Sequence, residues 1–285
     1  MSSRRDTVGV LNGRSRRFVK QALIYLCLTV GAFVMIFPLL WMFSTSFKTP
    51  WEIYDVNILP QSFQLSNYEH LLKNTGFLRW LWVSSVVVIC TTASVLVFDS
   101  LVGYTLAKLQ FRGKNIIFMA ILATLMVPTE MLIIPWYIMS VDMGLRDTYL
   151  GIMFPGMITA FGIFLTKQFY EGVPNDLLDA ARIDGLNEVG VYARIALPQV
   201  KPALSALIIF NFLGNWNAYL WPLIVAQSPH MRTIPVGISF FSNEVTTAWH
   251  LIMTASSCAI VPVLVVFVIF QKHIIKGVQL SGLKG

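Results

Sequence analysis

Residues 22–44 read ALIYLCLTVGAFVMIFPLLWMFS, an apolar run without a charged side chain. A helix needs about 20 apolar residues to cross the hydrocarbon core of a bilayer, so this run is long enough to span it. Trp41, Phe43 and Phe47 lie at its end, where an interfacial aromatic belt is expected. No small-x-small cleavage pattern follows within reach, so we interpret the run as a retained transmembrane helix rather than a signal peptide.

Five further apolar stretches follow the first. They predict spans at about 81–106, 116–139, 148–169, 203–226 and 250–270. The composition agrees, with 56% hydrophobic and only 12% charged residues and a mean hydropathy of +0.67. A water-soluble protein with so few charges would expose large apolar patches. The sequence therefore predicts an all-α membrane protein with six transmembrane helices.

The distribution of Lys and Arg predicts the orientation of these spans. Most of the 21 basic residues lie in the N-terminal segment, the 107–115 loop, the 167–202 loop and the C-terminal tail. Because cytoplasmic flanks carry the excess of basic residues, both termini are predicted to be cytoplasmic, as an even number of spans requires. We divide the chain into a cytoplasmic segment at 1–21, a six-helix domain at 22–271 and a cytoplasmic tail at 272–285. The net charge of +7 then reflects topology rather than nucleic-acid binding.

The inner loop between the fourth and fifth spans, 171–202, has the most ordered pattern of the connections. From residue 171 to 204 the sequence reads EGVPNDLLDAARIDGLNEVGVYARIALPQVKPAL. Asn175 or Asp176 is a suitable N-cap for a short helix, and Gly185 suits a left-handed turn after it. A second short helix is expected to end at Leu197-Pro198, since proline cannot continue the hydrogen-bond ladder. The predicted packing residues are Leu177, Leu178, Ala181 and Ile183 in the first helix and Val189, Tyr192, Ala193 and Ala196 in the second.

This hairpin offers features of a docking surface. We expect it to expose the small residues Ala180 and Ala181 beside the carboxylates Asp179 and Asp184. Small side chains allow close backbone approach, and carboxylates can pair with basic residues of a partner. Physical reasoning alone does not choose between a docking hairpin and a surface hairpin that has no partner.

The spacing within the loop resembles the EAA motif of ABC importer permeases. That motif reads E-A-A, three residues, G, nine residues, I-x-L-P, and the chain matches it with Asp179, Ala180, Ala181, Gly185, Ile195, Leu197 and Pro198. The single departure is Asp179 in place of Glu, which keeps the charge but shortens the side chain. FPLLWMFSTSFKTPWEI, NWNAYLWPLIV and the terminal GVQLSGLKG are similar to the carbohydrate-uptake subfamily and, within it, to the MalG-like half of the permease pair.

The resemblance implies a set of partners in a bacterial or archaeal inner membrane. They are a second, MalF-like permease in a heterodimer, two ABC ATPase subunits, a periplasmic or lipid-anchored solute-binding protein and a carbohydrate substrate, besides membrane lipid. It further implies that residues 176–198, Asp184 included, form coupling helices seated on the ATPase. No nucleic acid is expected.

The sequence gives no sign of enzymatic activity in the chain itself. The fragment Arg112-Gly113-Lys114-Asn115 lacks the first glycine and the hydroxyl residue of a phosphate-binding P-loop. The scattered Cys and His residues have no metal-site spacing. We therefore expect no cofactor on this chain, with ATP and Mg²⁺ bound by the partner ATPase.

Polar residues at membrane depth are the candidates for a substrate path. Glu130 follows Pro128, which is expected to kink the third span, and either faces the path or a structural partner. Asp99 either serves the path or extends to the cytoplasmic interface. In the fifth span, amides and flat rings suit a sugar, but they equally suit helix–helix packing. These residues are Asn211, Asn215, Trp216, Asn217 and Tyr219.

Two other classes of function compete with an ABC importer permease. An ATP-independent secondary transporter or channel would be expected to show inverted repeats or broken helices in matching halves, and we find no convincing internal symmetry. A membrane scaffold would explain the docking loop but not the polar fifth span.

Overall fold

The computed structural model describes the backbone of residues 3–242 and 247–282 and the side chains of residues 18–242 and 247–271. Within these ranges the regular structure is helical, with a single isolated β-bridge between Ser242 and Thr247. Apart from Lys20, the basic side chains near both termini, which contribute to the predicted orientation, lie outside the described side chains. The α-helices are α1 (Ser3–Ser46), α2 (Ser66–Asn74), α3 (Phe77–Lys108), α4 (Lys114–Thr124), α5 (Ile133–Asp142), α6 (Tyr149–Met153), α7 (Ala160–Glu171), α8 (Asn175–Ile183), α9 (Glu188–Gly190), α10 (Leu197–Gln199), α11 (Lys201–Trp216), α12 (Leu220–Val225), α13 (Ile234–Ser239) and α14 (Trp249–Gly282).

Within the described part of the chain, three helices are long and apolar enough to cross a membrane as single rods. They comprise Phe18–Ser46, Phe77–Lys108 and Trp249–Gln271, and they contain the predicted first, second and sixth spans. Three bent helix pairs raise the number of spans to as many as six. The prediction of apolar helices is confirmed, whereas the count of six depends on treating the bent pairs as spans.

The other predicted spans are broken rather than straight. In the third, α4 and the segment Thr129–Asp142 meet at 93°, and Pro128 is extended (ψ 129°) at the break. The kink expected at Pro128 is thus a sharp bend. In the fourth, Tyr149–Gly156 and α7 meet at 47°. The third bent pair consists of Glu188–Gln199 and α11, which meet at 80°. The predicted fifth span, 203–226, instead falls on α11 and α12. Helix α11 alone has 16 residues and measures about 24 Å at 1.5 Å per residue.

Helices α3 and α7 pack closely because glycines and a buried aspartate allow it. A Cβ on Gly162 would lie 2.1 Å from Asp99 Oδ2, and one on Gly103 would lie 2.2 Å from Thr166 Oγ1. Asp99 is fully buried and accepts hydrogen bonds from the backbone N–H of Thr159 (3.0 Å) and from its hydroxyl (2.6 Å). Thr159 is the N-cap of α7. The suggestion that Asp99 extends to the cytoplasmic interface is therefore wrong, since it holds the start of a neighbouring helix.

The outer connections contain two short helices, α2 and α13. Helix α2 lies in the connection between the first and second spans, and α13 lies in the loop after the fifth span. Asn67 donates to the carbonyls of Ser46 (3.0 Å) and Lys48 (2.9 Å), which fixes α2 against the end of α1. Most side chains of α1 from Phe18 to Phe37 are exposed in the isolated chain, as expected for a helix that meets lipid or a second subunit.

Candidate coupling site

The loop after α7 folds as the expected helical hairpin, but its first helix begins differently. Helix α8 starts at Asn175 after an extended Pro174, and neither Asn175 nor Asp176 caps it through its side chain. The Asn175 side chain instead accepts a hydrogen bond from Lys108 Nζ (2.9 Å), which also donates to the carbonyl of Val173 (2.6 Å). The predicted N-cap is therefore wrong, because Asn175 connects the loop to the end of α3.

Gly185 forms the predicted left-handed turn between the two helices. Its φ is +88°, a conformation that glycine adopts without steric cost. The N–H of Gly185 bonds to the carbonyl of Arg182 (3.0 Å), and the N–H of Leu186 bonds to that of Ala181 (3.1 Å). These bonds satisfy carbonyls at the end of α8 and reverse the chain direction.

The second helix runs from Glu188 to Gln199 and contains a π turn at Val191–Ala196. Leu197-Pro198 does not end it, contrary to the prediction, and the break falls at Val200. A proline ring clashes with the carbonyl four residues earlier in an α-helix, and a widened turn just before Pro198 relieves this conflict.

The π turn also changes which side chains of the second helix are buried. Val191, Ala196 and Val200 are buried, whereas Val189 and Ala193, which were predicted to pack, are exposed. A π turn contains more residues than an α turn, so it shifts the packing register relative to the 3.6-residue spacing. Tyr192 and Ile195 are half-buried against the same cluster.

The residues of the EAA-like pattern divide between packing and exposure. Ala181 is buried beside Leu178, which confirms its prediction as a packing residue and contradicts the expectation that it is exposed for docking. Asp179, Ala180, Asp184, Gly185 and Pro198 are exposed, and Ile195 and Leu197 are half-buried.

Three apolar residues of the hairpin lie on its surface. Ile183 is 85% exposed, Val189 71% and Leu177 41%, and both Leu177 and Ile183 had been assigned wrongly to the packing face. We refer to Leu177, Ile183 and Val189 as the loop patch. Exposed apolar residues beside the carboxylates Asp179 and Asp184 are typical of a surface that binds another protein.

Charged residues form a short network across the hairpin. Arg182 donates to Asp179 Oδ1 (2.5 Å) through Nη1 and to Glu188 Oε1 (2.6 Å) through Nε. The hydrogen bonds from Arg182 hold the pKa of Glu188 below its ordinary value, and Glu188 in turn raises the pKa of Arg182. Because Asp179 is exposed, its ion pair contributes little energy, and its carboxylate can exchange Arg182 for another partner.

Tyr192, one of the predicted packing residues, contacts two tyrosines and a serine below the hairpin that the sequence did not point to. Tyr104 of α3, Tyr170 of α7 and Tyr192 of the π turn pack together, and the Ser100 hydroxyl lies 2.8 Å from Tyr170 Oη. The Tyr104 hydroxyl donates to Glu188 Oε2 at 3.1 Å. No local spacing signals this cluster, because its members come from three distant segments.

The candidate residues for the substrate path separate into distinct environments. Asn211 and Asn215 pair on one face of α11, and the Asn215 side chain donates to the Asn211 carbonyl (3.0 Å). Trp216 is 3% exposed, stacks on Phe212 and donates to the carbonyl of Ala259 (3.1 Å), so it packs α11 against α14. Asn217 and Tyr219 are exposed, as is Glu130 at the 93° bend.

A small cavity adjoins Asn215. Its volume is about 190 Å³, and polar groups and indole rings share its wall. Among the described residues, the buried hydroxyl of Thr233 in this wall has no hydrogen-bond partner. The polar and aromatic lining residues are Ser84, Thr129, Trp136, Asn215, Trp221 and Thr233.

Comparison with known proteins identifies a family and its fold. Residues 99–280 match the family described as binding-protein-dependent transport system inner membrane component. The chain is 36% identical over 255 residues to the arabinooligosaccharides transport system permease protein AraQ of Bacillus subtilis (strain 168), covering 88% of this chain and 91% of that protein. It is 30% identical to the sn-glycerol-3-phosphate transport system permease protein UgpE of Brucella abortus (strain 2308), covering 92% and 97%, and 30% identical to the lactose transport system permease protein LacG of Rhizobium radiobacter, covering 92% and 96%.

A solved structure with the same fold is available. One chain of a bacterial ABC transporter involved in the import of the acidic polysaccharide alginate superposes with a TM-score of 0.80 at 22% identity. The match covers 91% of this chain and 97% of that one.

Proposed function

The chain belongs to the family of binding-protein-dependent transport system inner membrane components, and from this premise we propose how it transports its substrate. It is a multi-pass inner-membrane permease subunit of an ABC importer. In our proposal it pairs with a MalF-like permease, receives a carbohydrate from an external binding protein and releases it to the cytoplasm by alternating access. Two partner ATPases bind ATP and Mg²⁺ and hydrolyse the nucleotide.

The names of the relatives support a carbohydrate or a related solute as the substrate. Their named substrates are arabinooligosaccharides, lactose and sn-glycerol-3-phosphate, all of which are rich in hydroxyl groups or carry phosphate. The alternative of an ATP-independent transporter or channel has no support among these relatives.

We extend the proposal to the membrane topology. Six spans place both termini in the cytoplasm, with 1–21 and 272–285 as cytoplasmic segments around a transmembrane domain at 22–271. Two of the bent pairs supply the third and fourth spans. In this topology α11 with α12 supplies the fifth span, and Glu188–Gln199 belongs to the cytoplasmic loop. In this orientation the loop 171–202 faces the ATPases.

The exposed loop patch is the observation that carries the coupling proposal. Ile183 and Val189 lie on either side of the Gly185 turn, and Asp179 and Asp184 lie beside them. Burying apolar side chains on a partner is favourable by about 25 cal/mol per Å², and two carboxylates add selectivity for a basic groove. Closure of the ATPases then moves the hairpin, which is fixed to α3 through Lys108 and Asn175.

The substrate path in this proposal includes the cavity beside Asn215. Indole rings stack on the apolar faces of a sugar, and the Thr233 and Asn215 side chains form hydrogen bonds with its hydroxyls. Trp216 belongs to the packing of α11 on α14 rather than to the path, whereas Asn217, Tyr219 and Glu130 are exposed and accessible to the path.

Co-purification from native membranes tests the coupling proposal. We expect the tagged chain to recover a second permease and an ATPase that mass spectrometry can identify. Ile183→Asp places a charge in the loop patch and should lose the ATPase while retaining the second permease. The matched control is Val56→Asp, because Val56 is 88% exposed but lies in the connection after α1, on the opposite side of the membrane in the proposed topology.

The same experiment discriminates among the alternatives. A chain that retains its ATPase after Ile183→Asp would show that the loop patch is not the docking surface. A chain recovered without an ATPase in any form would favour ATP-independent transport.

A further inference from the structure

The tyrosine cluster lies where the hairpin meets the membrane-spanning helices. The ring centroids of Tyr104 and Tyr170 are 5.4 Å apart, those of Tyr104 and Tyr192 are 5.3 Å apart, and those of Tyr170 and Tyr192 are 6.4 Å apart. Tyr104 is 2% exposed and Tyr170 is fully buried. Each ring belongs to a different element, so the cluster joins α3, α7 and the second hairpin helix.

The Ser100 hydroxyl connects the tyrosines of α7 and the hairpin to α3. It lies 2.8 Å from Tyr170 Oη and 3.1 Å from Tyr192 Oη. A hydroxyl carries one donor and two acceptor lone pairs, so Ser100 can bond to both tyrosines at once. Since these groups are buried or half-buried, separating them would leave polar atoms without partners, which is costly.

Glu188 connects the cluster to the charged surface of the hairpin. One carboxylate oxygen accepts from the Tyr104 hydroxyl (3.1 Å), and the other accepts from Arg182 Nε (2.6 Å). Arg182 in turn donates to Asp179, one of the residues beside the loop patch. A continuous chain of hydrogen bonds thus leads from α8 through Glu188 to α3.

We propose that Glu188, Tyr104 and Ser100 are positioning residues that transmit movement of the hairpin to α3 and α7. This inference rests on the proposed coupling of the hairpin to an ATPase. When the ATPase displaces α8 and the second helix, the hydrogen bonds force α3 and α7 to move with them or to break. The resulting shift of α3 changes how accessible the substrate path is, because α3 also lines the cavity through Ser84.

Hydroxyl-deleting variants in the complete transporter test this role. The permease would be reconstituted in liposomes with its second permease, ATPase and binding protein, as recovered by co-purification. Tyr104→Phe keeps the ring packing and removes the bond to Glu188. We expect the variant to assemble normally but to lower the ratio of binding-protein-stimulated to basal ATPase activity about tenfold, as the loss of one charge-assisted hydrogen bond can produce.

A double-mutant cycle separates transmission from simple packing. Glu188→Gln should lower the same ratio, and the double variant should be no worse than the more impaired single variant, because both changes break one linkage. Ser100→Ala is a second, smaller perturbation that should also lower the ratio without altering the melting temperature of the permease by more than a few degrees. The matched control is Tyr149→Phe, whose hydroxyl has no hydrogen-bond partner among the residues that the structure describes.

The outcomes distinguish this inference from the function on which it rests. An unchanged stimulation ratio in Tyr104→Phe, or independent additive effects in the cycle, would overturn the transmission role while uptake by the unaltered complex continued. An equal loss in Tyr149→Phe would also overturn it, since general destabilisation would then explain the effect. Absence of ATP-dependent uptake by the unaltered complex would overturn the proposed function and this inference with it.

Discussion

Replacement of Gly185 by alanine is the most informative single perturbation of the hairpin. Gly185 has a φ of +88°, and a Cβ built on it would meet no atom within 4 Å. The substitution therefore introduces no steric overlap with neighbouring residues. Its entire effect must come from the backbone conformation, so the size of the effect follows from the free-energy cost of placing alanine in the left-handed region.

The strain can be converted to an expected loss of affinity. An L-residue in the left-handed helical region costs about 1–2 kcal/mol. The exposed turn can relax when the hairpin is free, so the strain is imposed when the ATPase requires the native turn. Since 1.4 kcal/mol corresponds to a factor of ten, we expect the permease to bind the ATPase roughly 5- to 30-fold more weakly. Gly185→Asn should lose less, because asparagine tolerates this region better.

Binding of purified ATPase to the detergent-solubilised permease pair would measure the effect. The control is Gly113→Ala, since Gly113 has a φ of +84° and open space around its Cβ position but lies outside the hairpin. It carries the same backbone cost without altering the turn. Equal losses for Gly113→Ala and Gly185→Ala, or no loss for either, would refute the argument that the turn presents the docking surface.

Two further predictions concern the membrane-spanning region. Gly162→Ala should lower the melting temperature of the purified permease, since the added Cβ would lie 2.1 Å from Asp99 Oδ2 and overpacking costs about 1–3 kcal/mol. The control Gly31→Ala adds a Cβ in open space and should melt like the unaltered chain, so equal melting of both variants would contradict the close α3–α7 contact. Thr233→Val should raise the KM for uptake roughly 2- to 10-fold, which corresponds to the loss of one hydrogen bond to the substrate. The melting temperature should not fall, because the buried hydroxyl has no partner among the described residues, and an unchanged KM would exclude Thr233 from the path.

The sequence predicted the hairpin more accurately than the packing within it. The Gly185 turn and the two short helices depend on local backbone preferences, and both are confirmed. In the second helix, Tyr192 and Ala196 pack as predicted, but Val189 and Ala193 are exposed, because the π turn at Val191–Ala196 alters the spacing. A helical period assumed from the sequence cannot anticipate that local widening.

The polar residues at membrane depth show a similar limit. Asp99 is an intramembrane acid in the sequence, but its partner Thr159 lies 60 residues away and caps a different helix. Glu188 is one surface carboxylate among several until Tyr104, 84 residues earlier, is placed against it. Such partners become adjacent only when the spans pack.

By itself, the sequence determined that this protein resides in a membrane and where its apolar helices lie, and it predicted which loop would form a docking hairpin. A high apolar fraction indicates that lipid surrounds the helices, and a contiguous segment such as residues 179–198 forms its turn and short helices through local backbone preferences. Only the tertiary structure decided where the third and fourth spans bend, which hairpin residues are exposed and how Glu188 connects the hairpin to α3. Hydrogen bonds and close contacts act over about 3 Å, so residues far apart in the chain are joined by the packing of the helices and by no pattern along the sequence.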